Sequence, residues 1–291
     1  MDWLQQLVNG VSLGSIYALI ALGYTMVYGI IKLINFAHGD VFMLGAFIGF
    51  FAITRWEMGF LPALITAMIL CSIIGVIIER VAYKRLRNAT RIAALTTAIG
   101  VSFLIEYTMI FFRGATPEAY PNILPNTNIQ VFGANISSQA IFILIVTIVL
   151  MILLQFIVHK TKVGKAMRAV SHDADAARLM GINVDNTISA TFAIGSALAG
   201  AAGVIFGAYY TRIDPLMGIL PGLKAFIAAV LGGIGSIPGA MVGGFLLGIV
   251  ETVVSAVGFS LWRDAAASVI LIFILTLRPA GISGKKAREK V

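Results

Sequence analysis

The sequence predicts an all-α fold, a polytopic transmembrane helical bundle of about eight to ten spans with at least one broken or re-entrant helix. Three observations carry this. Of 291 residues, 59% are hydrophobic and 12% charged, against about 25% charged in a typical soluble domain. The apolar residues fall in runs of the length a membrane helix needs. Fifteen of the 21 Lys and Arg fall in the short stretches 80–91, 160–178 and 278–290, each beside such a run. A soluble core cannot hide this much apolar surface, so lipid is the expected solvent. The clustered basic residues mark loops held on the cytoplasmic side, and no nucleic-acid partner is expected despite the net charge of +8.

The spans follow in order. Residues 7–31, 60–78, 92–112, 139–158 and 187–210 are each long and apolar enough to cross. Residues 41–54 are apolar but short, and form a short span or a re-entrant helix. The run 225–257 is too long for one span, and the Gly-rich stretch Gly232, Gly233, Gly235, Pro238, Gly239 is expected to break it. Residues 261–277 form the last span. With the three basic stretches inside, 113–138 and 211–224 lie outside. Two crossings in 225–257 and one in 41–54 give nine spans with an external N-terminus; a re-entrant piece gives eight. The start Met-Asp-Trp lacks the basic region of a signal peptide, so the first apolar segment is expected to stay. The one cysteine, Cys71, lies in an apolar run and reads as a small buried hydrophobe.

Glycine is abundant: 30 in the chain, seven of them between Gly232 and Gly248. Gly10/Gly14, Gly45/Gly49, Gly203/Gly207 and Gly244/Gly248 are spaced four apart, and Gly235/Gly239/Gly243 repeat the spacing. Such faces let a second backbone approach closely, so a tightly packed bundle is expected.

The longest cytoplasmic loop, 160–186, reads as one or two amphipathic helices. Ala166, Val170, Ala174 and Ala177 share one face, and Lys165, Arg168, His172 and Asp175 the other, with Gly181 as a C-terminal stop. An Ala-rich face without Trp or Phe anchors poorly in lipid and suits docking against a protein. No GxxxxGK[ST] phosphate loop occurs, and no soluble stretch is long enough for an ATPase domain.

Three groups of residues resemble the permease family of branched-chain amino acid ABC importers, the LivH type. They are Asn35-Phe-Ala-His38-Gly-Asp40 with Met43-Leu-Gly-Ala46; Gly164-Lys165-Ala-Met167-Arg168-Ala-Val170 with Asp175-Ala-Ala177 and Met180-Gly181-Ile; and Leu231-Gly232-Gly233-Ile-Gly235-Ser236 with Pro238-Gly-Ala240. The resemblance covers almost the whole chain and implies a single permease domain, 1–291, in a prokaryotic inner membrane with a cytoplasmic C-terminus. It implies a second, related permease subunit, two cytoplasmic ATPase subunits that hold ATP-Mg, and a solute-binding protein. This chain itself is expected to bind no cofactor, to touch membrane lipid and to catalyse no reaction. The implied cargo is a branched-chain or related apolar amino acid; another small solute such as urea, an amide or a sugar is the runner-up, and an ATPase-independent channel or ion-driven carrier a third reading.

The resemblance makes Gly164, Lys165, Met167, Arg168, Val170, Asp173, Asp175, Ala177 and Gly181 the ATPase-coupling element. Asn35, His38 and Asp40, with Gly232, Gly233, Gly235 and Pro238, are helix-break or gate candidates, Asp40 also suiting an N-cap. Glu106 and Glu251 are ionisable groups within spans, and so translocation-path candidates. Lys32, Glu79 and Arg80 sit at span ends, where side chains reach for the interface. Gly10-Val-Ser12-Leu-Gly14 matches a serine-nucleophile pattern, but in an apolar helix rather than the strand-to-helix elbow that chemistry needs.

Overall fold

The computed structural model describes residues 3–87, 89–124, 127–131, 134–278 and 280–284. Asn88 and the basic residues 285–290 lie outside the described residues. The helices are α1 (Trp3–Ile31), α2 (His38–Thr54), α3 (Phe60–Ile78), α4 (Arg91–Arg113), α5 (Ser138–Lys160), α6 (Lys162–His172), α7 (Ala174–Leu179), α8 (Val184–Tyr210), α9 (Ile219–Gly232), α10 (Ile237–Ala256) and α11 (Arg263–Leu277). Six begin at a side-chain cap: Thr90, Ser137, Thr161, Asn183 and Ser236 each accept a backbone N–H three residues on, and Asp173 accepts two backbone N–H groups, which satisfies orphan donors of a helix start.

Seven helices are long and apolar enough to cross a membrane, and α2 and α9 are shorter apolar helices. At 1.5 Å per residue these two fall short of the roughly 30 Å hydrocarbon layer. Both lie largely inside the bundle, where protein can satisfy their ends.

One end is basic. There α3 continues through a π-helical turn, Glu79–Tyr83, and Lys84 and Arg87 pair with Asp185 at the start of α8, at 2.9 and 2.6 Å. The other end carries two small antiparallel pairings, Glu118–Ala119 with Arg212–Ile213 and Asn128–Val131 with Ala134–Ser137. Glu79 corrects the sequence reading. It does not reach for the interface but is fully buried, bonded to Arg87 and, at 2.6 Å, to Ser189 Oγ. The π turn brings Arg87 back over it, so the carboxylate is paired inside the protein.

Glycine decides the packing. An added Cβ at Gly14 would stand 2.7 Å from Phe245 Cα on α10, and one at Gly248 would stand 2.3 Å from Gly14 N on α1. The same holds between α2 and α8, where a Cβ at Gly45 would meet Gly200 Cα at 2.4 Å. The spaced glycines therefore form backbone-to-backbone crossings within one chain. Gly239 and Gly243 face Gly232 and Ala228 of α9, so their partner is an inner helix. Gly235 does not share that face. It lies in the link before α10, with φ +92°, a conformation that suits glycine. Ser12 sits within α1, its Oγ bonded to Val8 O at 2.9 Å, and forms no nucleophile elbow.

Candidate functional site

The segment 162–182 stands at the basic end as two helices joined by a polar hinge. Thr161 caps α6 through Gly164 N–H at 3.1 Å. Asp173 ends α6 and caps α7, its Oδ1 accepting from Asp175 and Ala176 N–H, both at 2.9 Å. Gly181, at φ +83°, closes the unit: Ile182 N–H reaches Ala177 O at 3.0 Å, the left-handed stop expected of it.

The buried face differs from the Ala face read from sequence. Gly164, Met167, Val170 and Ala177 are buried, Ala166 and Ala174 half-buried. This face closes on α1, α5 and α8 of the same chain. The reason is local: a single residue, Thr161, links α5 to α6, so the apolar side of α6 must fold back over the end of α5. A Cβ at Gly164 would stand 2.2 Å from Val158 O. Arg168 is exposed, but its Nη1 reaches back to donate to Val158 O, where it caps α5. The surface left for another molecule is the opposite one: Lys165, His172, Asp173, Asp175 and an apolar tip, Leu179 and Met180, 88% and 82% exposed.

The two helix breaks are built differently. At the first, α2 starts at His38 with Ala37 in the cap position and no side-chain cap. Asp40 is therefore not the cap. Its carboxylate is buried, accepts from Ser102 Oγ and lies beside Glu106. The cap position falls three residues earlier, which turns Asp40 onto the face toward α4. Asn35 Oδ1 accepts from Tyr83 O–H at 2.9 Å, and the His38 ring packs edge-on to Tyr24 at 4.7 Å. His38 Nε2 is buried without a hydrogen-bond partner among the described residues.

At the second break, α9 ends at Gly232 and α10 begins at Ile237, with Pro238 in its first turn. Ile282 and Ser283 N–H bond Leu231 O and Gly232 O at 2.9 and 3.0 Å. The segment after α11 thus takes up carbonyls that the end of α9 leaves open. Gly233, at φ +103°, lies against Gly281 and Gly284.

Glu106 and Glu251 occupy separate clusters. Glu251 on α10 is 1% exposed. Its Oε2 accepts from Lys224 Nζ at 2.9 Å and Tyr17 O–H at 3.1 Å, and Lys224 also reaches Asp264 at 2.6 Å. The sequence reading missed Lys224, placing it in an external loop. It lies on α9, which begins at Ile219, and is buried. A lysine five residues into an apolar helix was the available signal, masked by Pro221 and Gly222. This cluster floors a cavity of about 380 Å³ at the strand-bearing end. Among the described residues, no group of His, Cys, Asp and Glu is arranged to hold a metal ion.

The sequence profile described as branched-chain amino acid transport system, permease component, matches residues 6–277. The chain is 44% identical over 301 residues to the "High-affinity branched-chain amino acid transport system permease protein BraD" of Pseudomonas aeruginosa, covering 99% of this chain and 98% of that one. It is 43% identical to the protein named LivH, with the same description, of Escherichia coli strain K12, again with 99% and 98% covered. A probable branched-chain amino acid transport permease protein LivH of Methanocaldococcus jannaschii is 28% identical, with 93% and 89% covered. No solved structure matches. The chain is a multi-pass membrane transport permease rather than an enzyme, and it belongs to the family of branched-chain amino acid transport system permease components.

Proposed function

We propose that this chain is one of two membrane subunits of an ATP-driven importer that carries branched-chain amino acids across a prokaryotic inner membrane. A solute-binding protein delivers cargo to the strand-bearing, external end. Two ATPase subunits, holding ATP-Mg, dock at the basic, cytoplasmic end. The second membrane subunit is a related permease. The relatives' names support the cargo, and the Lys and Arg asymmetry supports the orientation.

The observation that carries the coupling role is the build of segment 162–182. Its apolar face is fixed to three helices of the bundle, and its outer face offers charges and the Leu179–Met180 tip. Such an element passes a push from a partner into the bundle without melting. The chain has no phosphate loop of its own, so that push comes from another polypeptide.

The test is co-purification and uptake with Leu179→Glu/Met180→Glu. Both side chains are exposed, so the chain should fold, lose its ATPase and retain below about a tenth of its leucine uptake, as a charged pair in an apolar contact predicts. An ATPase retained at wild-type stoichiometry with normal uptake would overturn the coupling role. For orientation, Asp175→Cys in a Cys71→Ser background should resist an impermeant thiol reagent added outside intact cells; labelling from outside would invert the topology.

A further inference from the structure

The cavity at the strand-bearing end lies where α8 ends, α9 begins and α11 starts. Its volume of about 380 Å³ falls in the range of small-molecule sites. One part of its lining is apolar: Phe206, Leu216, Met217 and Leu220. The other part is ionic: Arg212, Asp214, Lys224 and Arg263.

These ionic groups are not equivalent. Lys224 is already neutralised from behind by Glu251 and Asp264. Arg212 and Asp214 form no ion pair among the described residues, although Asp214 Oδ1 accepts from Leu216 N–H at 3.1 Å. Arg263 has only its neighbour Asp264, at 3.5 Å. The cavity therefore presents a cation and an anion without ion-pair partners, Arg212 and Asp214, beside an aliphatic and aromatic wall. Beneath it, Glu251 Oε1 is buried without a hydrogen-bond partner among the described residues. A buried ion pair gives a membrane bundle little that apolar packing would not, so a paired Lys224 at the cavity floor calls for a use.

We propose that this cavity is a binding site for a zwitterionic aliphatic α-amino acid on its way through the chain. The ligand's carboxylate meets Arg212 and Arg263, its ammonium meets Asp214, and its side chain lies against Leu216, Met217 and Leu220. Lys224 and Tyr17 hold the floor in place. The assignment rests on the importer reading above and names the group in this chain that receives the cargo. A bare anion, such as a phosphate headgroup, would satisfy the arginines but stand against Asp214.

The test uses the assembled importer in lipid nanodiscs, with and without its binding protein. Without it, saturable leucine binding is measured in competition with 4-methyl-2-oxopentanoate, which lacks the ammonium, and 3-methylbutylamine, which lacks the carboxylate. Leucine should compete at least about tenfold better than either, the factor expected for one lost charge-assisted contact. With saturating binding protein, Arg212→Gln and Asp214→Asn should each lower the maximal rate of leucine uptake about tenfold, while the assembly elutes intact and still hydrolyses ATP. Equal competition by the keto acid would mean an anion site and overturn the assignment, as would equal competition by the amine or uptake unchanged in both variants. If the wild-type importer carries leucine while these outcomes appear, this assignment fails and the importer reading stands. If the wild-type assembly carries no branched-chain amino acid, the importer reading falls and takes the assignment with it.

Discussion

Helices α1 and α11 are about equally apolar, yet 78% of the 18-residue apolar stretch in α1 is buried inside the bundle, against 6% of residues 260–277, which contain α11. Hydropathy does not separate them because lipid solvates Leu and Ile as well as a protein core does. The separating features are small and polar residues. Helix α1 carries Gly10, Gly14, Gly23 and Gly29, with Ser12, Ser15, Tyr17 and Thr25 buried along it. Helix α11 has no glycine, and Val269, Ile272 and Phe273 stand more than 60% exposed. In this protein, backbone proximity and internal hydrogen bonds select the centre, and long apolar side chains are left for the surroundings.

The contrast breaks most decisively at a glycine crossing. Gly243→Leu puts a side chain where a Cβ alone would stand 2.1 Å from Ala228 O. It should destabilise the bundle by about 3 kcal/mol or more and abolish recovery of monodisperse protein on size exclusion. The same change at Gly59, where the nearest atom to an added Cβ is 3.9 Å away, should leave elution and uptake near wild type. Normal behaviour of both variants would show that glycine does not set the core.

Removing one partner of the buried ion pair comes next. Lys224→Met strands Glu251 and should cost about 3–5 kcal/mol, read as a lower melting temperature in detergent. Lys224→Met with Glu251→Leu should recover most of that stability but not transport. Recovery of both would reduce the cluster to packing.

A smaller effect distinguishes two exposed residues of α6, Lys165 and Arg168. Lys165→Glu lies on the exposed face and should reduce ATP-coupled uptake with no change in melting. Arg168→Glu also loses its bond to Val158 O and should lower stability by about 1–2 kcal/mol as well. Equal melting curves would show that the bond from Arg168 to Val158 O adds nothing to the fold. The smallest effect is expected at the periphery: Phe273→Ala should shift the melting of the isolated chain by less than about 0.5 kcal/mol. A loss of the second permease subunit on purification would identify α11 as the face between subunits rather than toward lipid.

The positions of the spans were legible because their length and hydropathy are fixed by the bilayer, and the break at Gly232 because Gly and Pro interrupt a helix whatever surrounds it. Which glycine row meets which was not legible, since Gly14 and Gly45 have the same local pattern and different partners. Lys224 escaped because a cationic residue beside Pro221 and Gly222 reads as a loop; only the return of α10 with Glu251 makes its burial tenable. Helix α6 was recognisable by its amphipathicity, but amphipathicity alone does not say whether the apolar side faces a partner or home. The one-residue link at Thr161 decides that, through chain geometry rather than composition.

The open carbonyls at the end of α9 have a consequence for biogenesis. Leu231 and Gly232 bond Ile282 and Ser283, which the ribosome makes only after α10 and α11. Until then, the hairpin of α9 and α10 carries unmet acceptors at a break close against Gly29 and Gly239. Membrane insertion of the helices and completion of their packing are thus separate events, and the second waits on the last stretch of translation. A stall or nonsense codon between residues 257 and 280 would release a chain with nearly all its spans inserted and this joint unsealed, a substrate for membrane quality control rather than for assembly.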